Sequence, residues 1–364
     1  MNRMEKRDLT PIRPSTSQEF GRHNGAVPSR AWFVERYGGP ERLVLRPRED
    51  PVPDAGEILI RTAAFGLNFA DLFVRAGVYP RTPKPPFVPG MEISGVAERV
   101  GSSVTAIREG DRVVAVPIFG GHAEKVAVPQ SHVFRLPDGI GLEPAAALAV
   151  AFLTAHWSLE KALVEAGERV VVTAAAGGVG TALLQLLARR RARVLALCGS
   201  TSKLPLCREL GAKAAGTYAD AERLIGEFFG GSADVVVDAV GGRLYRRLWK
   251  RLDSGGRYVL YGFAAAAGRR GMAPFRALRE ALGMGLLVPF RTVEACRTLI
   301  GFNLSELANK QDALRAAAAG IFAEVAAGNL KPVLGPRFPF ERLADAHRAL
   351  ASRTTTGKVI VTVP

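Results

Sequence analysis

The chain has 364 residues, 48% of them hydrophobic and 23% charged, an ordinary globular composition long enough for two domains or for one domain inserted into another. Its three cysteines, Cys198, Cys207 and Cys296, cannot all pair and form no Cys-x-x-Cys, which argues against a disulfide framework, fits a reducing cytoplasmic compartment and leaves each thiol as a small apolar filler. The formal net charge of +15 invites anionic partners, but the arginine clusters at 189–193 and 243–251 are not interleaved with aromatics and sit in no nucleic-acid module, so nucleic acid is not the expected partner.

Residues 1–28 are polar and basic, with Pro11, Pro14 and Pro28 and no apolar segment of a secretory signal; they read as a disordered leader. From Arg30 to about Gln130, short β-rich runs such as Glu57–Ala63, Gly95–Arg99, Arg112–Val116 and Ala123–Val128 are separated by prolines and glycines. That rhythm predicts a compact, mostly β, barrel-like domain. Past Pro144, helical stretches alternate with short apolar strands at Arg169–Thr173, Arg193–Leu197, Ala214–Tyr218, Asp234–Asp238 and Arg257–Tyr261. This βαβ alternation predicts a parallel sheet with helices on both faces. Ala277–Phe290, the longest apolar stretch, is too short to span a bilayer and reads as a core helix at the domain boundary. Thr298–Leu304 reads as a strand, Gln311–Ala327 and Arg342–Ser352 as helices, and Lys358–Val363 as a closing strand that rejoins the first domain.

The run Ala175-Ala176-Gly177-Gly178-Val179-Gly180 follows the strand Arg169–Thr173 directly and opens a helix. It is a dinucleotide fingerprint with alanine at the first glycine position. A tight turn there aims backbone N–H groups at a pyrophosphate, Gly177 allows close approach, and Gly180 lets the helix pack on the sheet. A carboxylate about 20 residues further on would hold the 2′-hydroxyl of NAD. Here the next strand ends in Cys198-Gly199-Ser200-Thr201-Ser202-Lys203. Hydroxyls and a lysine suit a 2′-phosphate, so NADP(H) is the expected cofactor.

Several further motifs occur in order: Gly66-Leu67-Asn68-Phe69-Ala70-Asp71, Gly77-Val78-Tyr79-Pro80, Pro89-Gly90-Met91-Glu92, Gly110-Asp111-Arg112-Val113, Asp238-Ala239-Val240-Gly241-Gly242 and Gly357-Lys358-Val359. With the glycine-rich turn they resemble the medium-chain dehydrogenase/reductase superfamily, in its quinone oxidoreductase division and nearest its vesicle amine transport protein branch. The resemblance runs from about Ala31 to the C-terminus. It implies an α/β protein: a GroES-like, mostly β catalytic domain over 29–152 and 296–364, with an inserted Rossmann doubly wound parallel-sheet domain over 153–295. It also implies a homodimer.

Zinc-dependent members of that superfamily use a cysteine in the first loop and a His-Glu pair in the next motif. Those places read Asn68 and Met91-Glu92, and the five histidines are scattered, so no metal is expected. A zinc-free site suits hydride transfer to a quinone or an enone, where the developing oxyanion needs only hydrogen-bond donors. By resemblance, Asn68 and Tyr79 are the candidate catalytic residues, with Phe73 standing where a second tyrosine is common. The implied cofactor residues are Asn68, Thr154, Ala176, Gly177, Gly178, Val179, Gly180, Gly199, Ser200, Lys203, Tyr218, Gly262, Phe263, Phe302 and Asn303. Asp71 and Glu92 read as structural hydrogen-bonders, Glu92 toward backbone donors in the cleft. An enoyl thioester on coenzyme A or an acyl carrier is the alternative substrate, and a non-catalytic NADPH-binding RNA- or membrane-associated protein is the alternative class.

Overall fold

The computed structural model describes residues 28–268, 271–272, 274–286, 289–307 and 310–364. The leader expected over 1–28 therefore lies outside the described residues except for Pro28. The chain builds two large sheets. The first has seven strands. Six follow the order Leu334–Pro339, Lys358–Thr362, Glu57–Leu67, Ile93–Val100, Arg112–Ala115, Val133–Arg135, and Lys125–Pro129 pairs with Glu57–Leu67. The closing strand does rejoin the first part of the chain. It runs antiparallel to Glu57–Leu67, with Val359 opposite Leu67 and Val361 opposite Phe65. The core of this unit gathers Ile58, Ile60, Phe65, Ile93, Val113 and Phe340, all buried.

The second sheet is wholly parallel. Its order is Ala214–Thr217, Arg193–Cys198, Arg169–Thr173, Ala233–Asp238, Leu252–Leu260, Thr298–Gly301. Val170, Val171 and Val172 are fully buried, because helices cover both faces and a strand in that position has no polar side. Gly178–Arg189 and Ala149–Lys161 lie on one face, Ala221–Phe229 and Gly242–Trp249 on the other. The winding reverses between Arg169–Thr173 and Ala233–Asp238, and such a reversal opens a crevice at the strands' carboxyl ends.

Two expectations need correction. Thr298–Gly301, assigned by sequence to the returning segment from 296, pairs in parallel with Leu252–Leu260. A sixth parallel strand belongs to the doubly wound sheet, because its partners there supply its backbone hydrogen bonds. Ala277–Phe290 is no core helix: on Pro274–Met284, Phe275, Leu278 and Leu282 are exposed, and Leu286 and Phe290 beyond it are exposed too. Apolar content alone does not distinguish a helix buried in its own chain from one offered to a partner.

Candidate active site

A cleft of about 1200 Å³ runs between the two sheets. All sixteen residues singled out from the sequence line it: Asn68, Tyr79, Thr154, Ala176, Gly177, Gly178, Val179, Gly180, Gly199, Ser200, Lys203, Tyr218, Gly262, Phe263, Phe302 and Asn303. They arrive from separate elements. The strand Arg169–Thr173 ends at Thr173, Ala174 turns the chain with a left-handed φ of 49°, and Gly177 caps the helix Gly178–Arg189. A Cβ at Gly180 would stand 2.4 Å from Ala174 O and 2.6 Å from Ala175 C. Only glycine lets this helix close onto its own turn. The helix therefore points its free N–H groups and partial positive charge into the cleft.

Asp238 holds the neighbouring loop. It is fully buried and accepts from Thr173 Oγ1 at 2.6 Å, Tyr258 OH at 2.7 Å, Val240 N at 2.8 Å and Gly241 N at 3.0 Å. Burial pushes its carboxyl above the ordinary range against those four donors. The acid thus shapes the turn Ala239–Gly241, which packs against Gly262 and Phe263, and its role is structural.

At the other end, Asn68 precedes the helix Phe69–Arg75, whose first turn Asp71 closes by accepting from Asn68 N at 2.7 Å. Lys358, from the closing strand, donates to Asn68 Oδ1 at 2.5 Å and pairs with Glu92 Oε2 at 2.6 Å. The other Glu92 oxygen accepts from Val150 N at 2.8 Å. Glu92 does serve a backbone donor at the cleft, as its sequence context implied. The pair is buried on both sides, with Lys358 only 4% exposed and Glu92 not at all. Gly357 N donates to Ala176 O at 2.8 Å, so the Gly357-Lys358 segment stitches the glycine-rich turn to the Asn68 loop.

Tyr79 donates its hydroxyl to Asn303 Oδ1 at 2.8 Å and lies 3.1 Å from Ser305 Oγ. Burial raises its phenol above the ordinary value. Phe302 stacks on Tyr261 with ring centroids 6.5 Å apart. Phe69, Phe73, Val78, Met91 and Ile118 complete an apolar wall beside Asn68.

The alcohol dehydrogenase GroES-like domain model matches residues 54–138, and the zinc-binding dehydrogenase model matches 210–361. The rat synaptic vesicle membrane protein VAT-1 homolog is 32% identical over 344 residues, covering 92% of this chain and 84% of that protein. The chain belongs to the medium-chain dehydrogenase/reductase superfamily, in its quinone oxidoreductase and VAT-1 branch. Among solved structures, the human VAT-1 homolog-like protein superposes with a TM-score of 0.81 at 29% identity, covering 93% of this chain and 99% of that one. The Thermus thermophilus quinone oxidoreductase, described also in its complex with NADPH, gives 0.77 at 36% identity, with 92% and 99% covered.

Within this superfamily fold, three residues take positions that the sequence reading did not give them. Lys358 lies inside the Gly-Lys-Val motif, whose sequence announces only a strand. Arg353, left-handed at φ 62°, caps the helix Leu343–Ser352 and reaches the carbonyls of Ala264 and Ala267 beside the cleft; no local pattern announces it. Lys203 donates to the carbonyls of Arg353 at 2.6 Å and Thr355 at 2.7 Å, so two of its three donors tie the second strand's turn to the returning segment. No group of three or more His, Cys, Asp or Glu side chains among the described residues is placed to share a metal ion, and no helix among them is long and apolar enough to cross a membrane.

Proposed function

We propose that this protein is a zinc-independent, NADPH-dependent oxidoreductase that delivers hydride to a quinone or to the β-carbon of an enone. The observation that carries the reading is the Asn68–Lys358–Glu92 chain, a polarised donor set where zinc-dependent relatives place metal ligands. The cofactor assignment draws on the Thermus complex with NADPH and on the fit of this cleft. The N-terminus of Gly178–Arg189 suits a pyrophosphate, and the turn at Gly199 and Ser200 offers hydroxyls in place of a carboxylate. Lys203 keeps one proton for a 2′-phosphate, and Tyr218 forms the wall beside it. Thr154, Gly262, Phe263, Phe302 and Asn303 would hold the nicotinamide end. Bound there, the dinucleotide supplies the hydride.

The chain's own residues then have one main task, to stabilise oxygen charge on the acceptor. Asn68 cannot offer its oxygen, which is committed to Lys358. Its Nδ2 directs one weak contact to Gly66 O at 3.5 Å, leaving a proton to donate to the acceptor carbonyl. The ammonium on Oδ1 polarises the amide and strengthens that donor. Tyr79, with its phenol held neutral, supplies an aromatic wall and positions Asn303. The proton that completes reduction comes from water. The cytoplasmic setting read from the free cysteines belongs to the same proposal.

The test follows NADPH and NADH oxidation by the purified protein with quinones, alkyl enones and enoyl thioesters, with and without a chelator. NADPH-preferring turnover of quinones or enones that the chelator leaves unchanged is expected. Preference for NADH, or loss of turnover with chelator, would overturn the reading. Turnover of enoyl thioesters alone would replace the substrate class.

A further inference from the structure

Cys198 ends the strand Arg193–Cys198, and Cys207 sits on the helix Leu204–Glu209. Their sulfurs are 3.4 Å apart, and both side chains are buried. As apolar fillers neither needs to be cysteine, and two fillers need not meet sulfur to sulfur. The chain between them is the turn carrying Gly199, Ser200, Ser202 and Lys203, all of which line the cleft. Cys198 lines the cleft too, whereas Cys207 faces inward with no exposed surface. A small reagent entering the cleft therefore meets Cys198 first and finds Cys207 directly behind it. The hydrogen bond from Cys207 holds the Cys198 thiol below its ordinary range against its burial, with the nearby Lys203 ammonium adding to the effect, and thiolate character is what makes a thiol nucleophilic.

We propose that Cys198 is an oxidation site with Cys207 as its resolving thiol, so that peroxide closes a disulfide around the turn at the second strand's end. The Cys198 thiolate attacks one peroxide oxygen, the O–O bond breaks, and one water leaves with a sulfenic acid formed. The Cys207 sulfur then attacks Cys198 Sγ, the S–O bond breaks, and a second water leaves. Two thiols lose two electrons, and one hydrogen peroxide becomes two waters. To bond, the sulfurs must close by about 1.3 Å to a length near 2.05 Å. That movement draws Leu204–Glu209 toward its strand and reshapes Gly199–Lys203. The consequence for affinity rests on the NADPH reading above; the disulfide itself does not.

The experiment uses the full chain with Cys296→Ser, which removes the exposed third thiol. The protein is treated with hydrogen peroxide, with and without NADP+, and followed by thiol titration, intact mass and peptide mapping. Loss of both thiols and of two hydrogens, a linked Cys198–Cys207 peptide, and protection by NADP+ are expected. The KM for NADPH should rise by roughly tenfold with kcat changed by less than about twofold, the split expected when binding alone is weakened, and dithiothreitol should reverse it. Cys207→Ser should show normal activity before oxidation, then accumulate a dimedone-reactive Cys198 and no disulfide. Failure to form the disulfide, or a disulfide that leaves the KM for NADPH unchanged, overturns the proposal. A reduced protein with no affinity for NADPH would overturn the cofactor reading and the affinity consequence, while the mass data would still decide the disulfide.

Discussion

In the proposed reaction Asn68 is the donor because Lys358 occupies its oxygen, and that arrangement can be broken without removing the lysine's partner. In Asn68→Asp the carboxylate keeps the ion pair but offers no N–H. Loss of a single oxyanion donor costs about 10²–10³ in rate. We expect a fall of that order in kcat with the melting temperature nearly unchanged. A variant with more than a tenth of wild-type kcat would remove Asn68 from the mechanism. Lys358→Met is the complementary change and should act mainly on stability, because it strands the buried Glu92; such a loss costs about 3–5 kcal/mol. Asp71, beneath Asn68, gives a pH signature. Burial pushes its carboxyl up to about 7, above the unfolded value of about 3.9. The folded state thus binds the proton more tightly, so the stability this group contributes is full below about pH 4 and lost as pH rises through 7. Asp71→Asn should flatten the fall of the denaturant midpoint between pH 4 and 7 and be the more stable protein at pH 8. A pH dependence identical to the wild type would show that Asp71 is ionised throughout.

The strand, glycine turn and helix from Arg169 to Arg189 are the most local of the site's elements and accordingly the most legible. Three valines mark a strand buried on both faces, and Gly180 marks the close approach that the structure measures at 2.4 Å. Gly180→Ala puts a methyl group against backbone that cannot yield, so the helix must lift from its turn. We expect a lower melting temperature and at least about tenfold weaker NADPH binding, since roughly 1.4 kcal/mol of displaced N–H contact suffices. Calorimetric titration showing unchanged affinity would mean that the turn does not hold the pyrophosphate. The helix Phe69–Arg75 was not legible as a helix. It is only seven residues long, and its start depends on a closed Asn68–Asp71 contact that looks like loop text in sequence. The Lys358–Asn68 bond joins residues 290 apart, a distance no periodicity spans. Lys203 was legible as a cation near the second strand but not as a tie to the carbonyls of Arg353 and Thr355, which become neighbours only when the closing strand returns.

At the scale of the whole molecule, six of the twelve large hydrophobics exposed among the described residues fall within 275–293. Phe275, Leu278 and Leu282 lie at i, i+3 and i+7 on Pro274–Met284, a single helical stripe. Leu286, Phe290 and Val293, further along the chain, are exposed as well, Leu286 by 93%. The chain then leads directly into Thr298–Gly301, the last strand of the parallel sheet, which among the described residues has a neighbour on one side only. An open edge and an exposed apolar stripe are each a liability for a monomer. A twofold axis at that edge resolves both: it pairs the strand with its copy in antiparallel sense and covers the stripe with the same stripe, the isologous arrangement of most homodimers. The sequence marks 277–290 as apolar but places it in the core; in a dimer of this kind the surface that covers it would belong to a second chain and would leave no trace in the residue pattern. We expect light scattering to report twice the 38.9 kDa chain mass. Leu282→Glu places a charge opposite its own copy and should yield a monomer that retains the folded circular dichroism spectrum. A wild-type protein that is monomeric at micromolar concentration would free this face from the dimer and make binding to lipid vesicles its next test. A Leu282→Glu protein that stays dimeric would move the interface elsewhere.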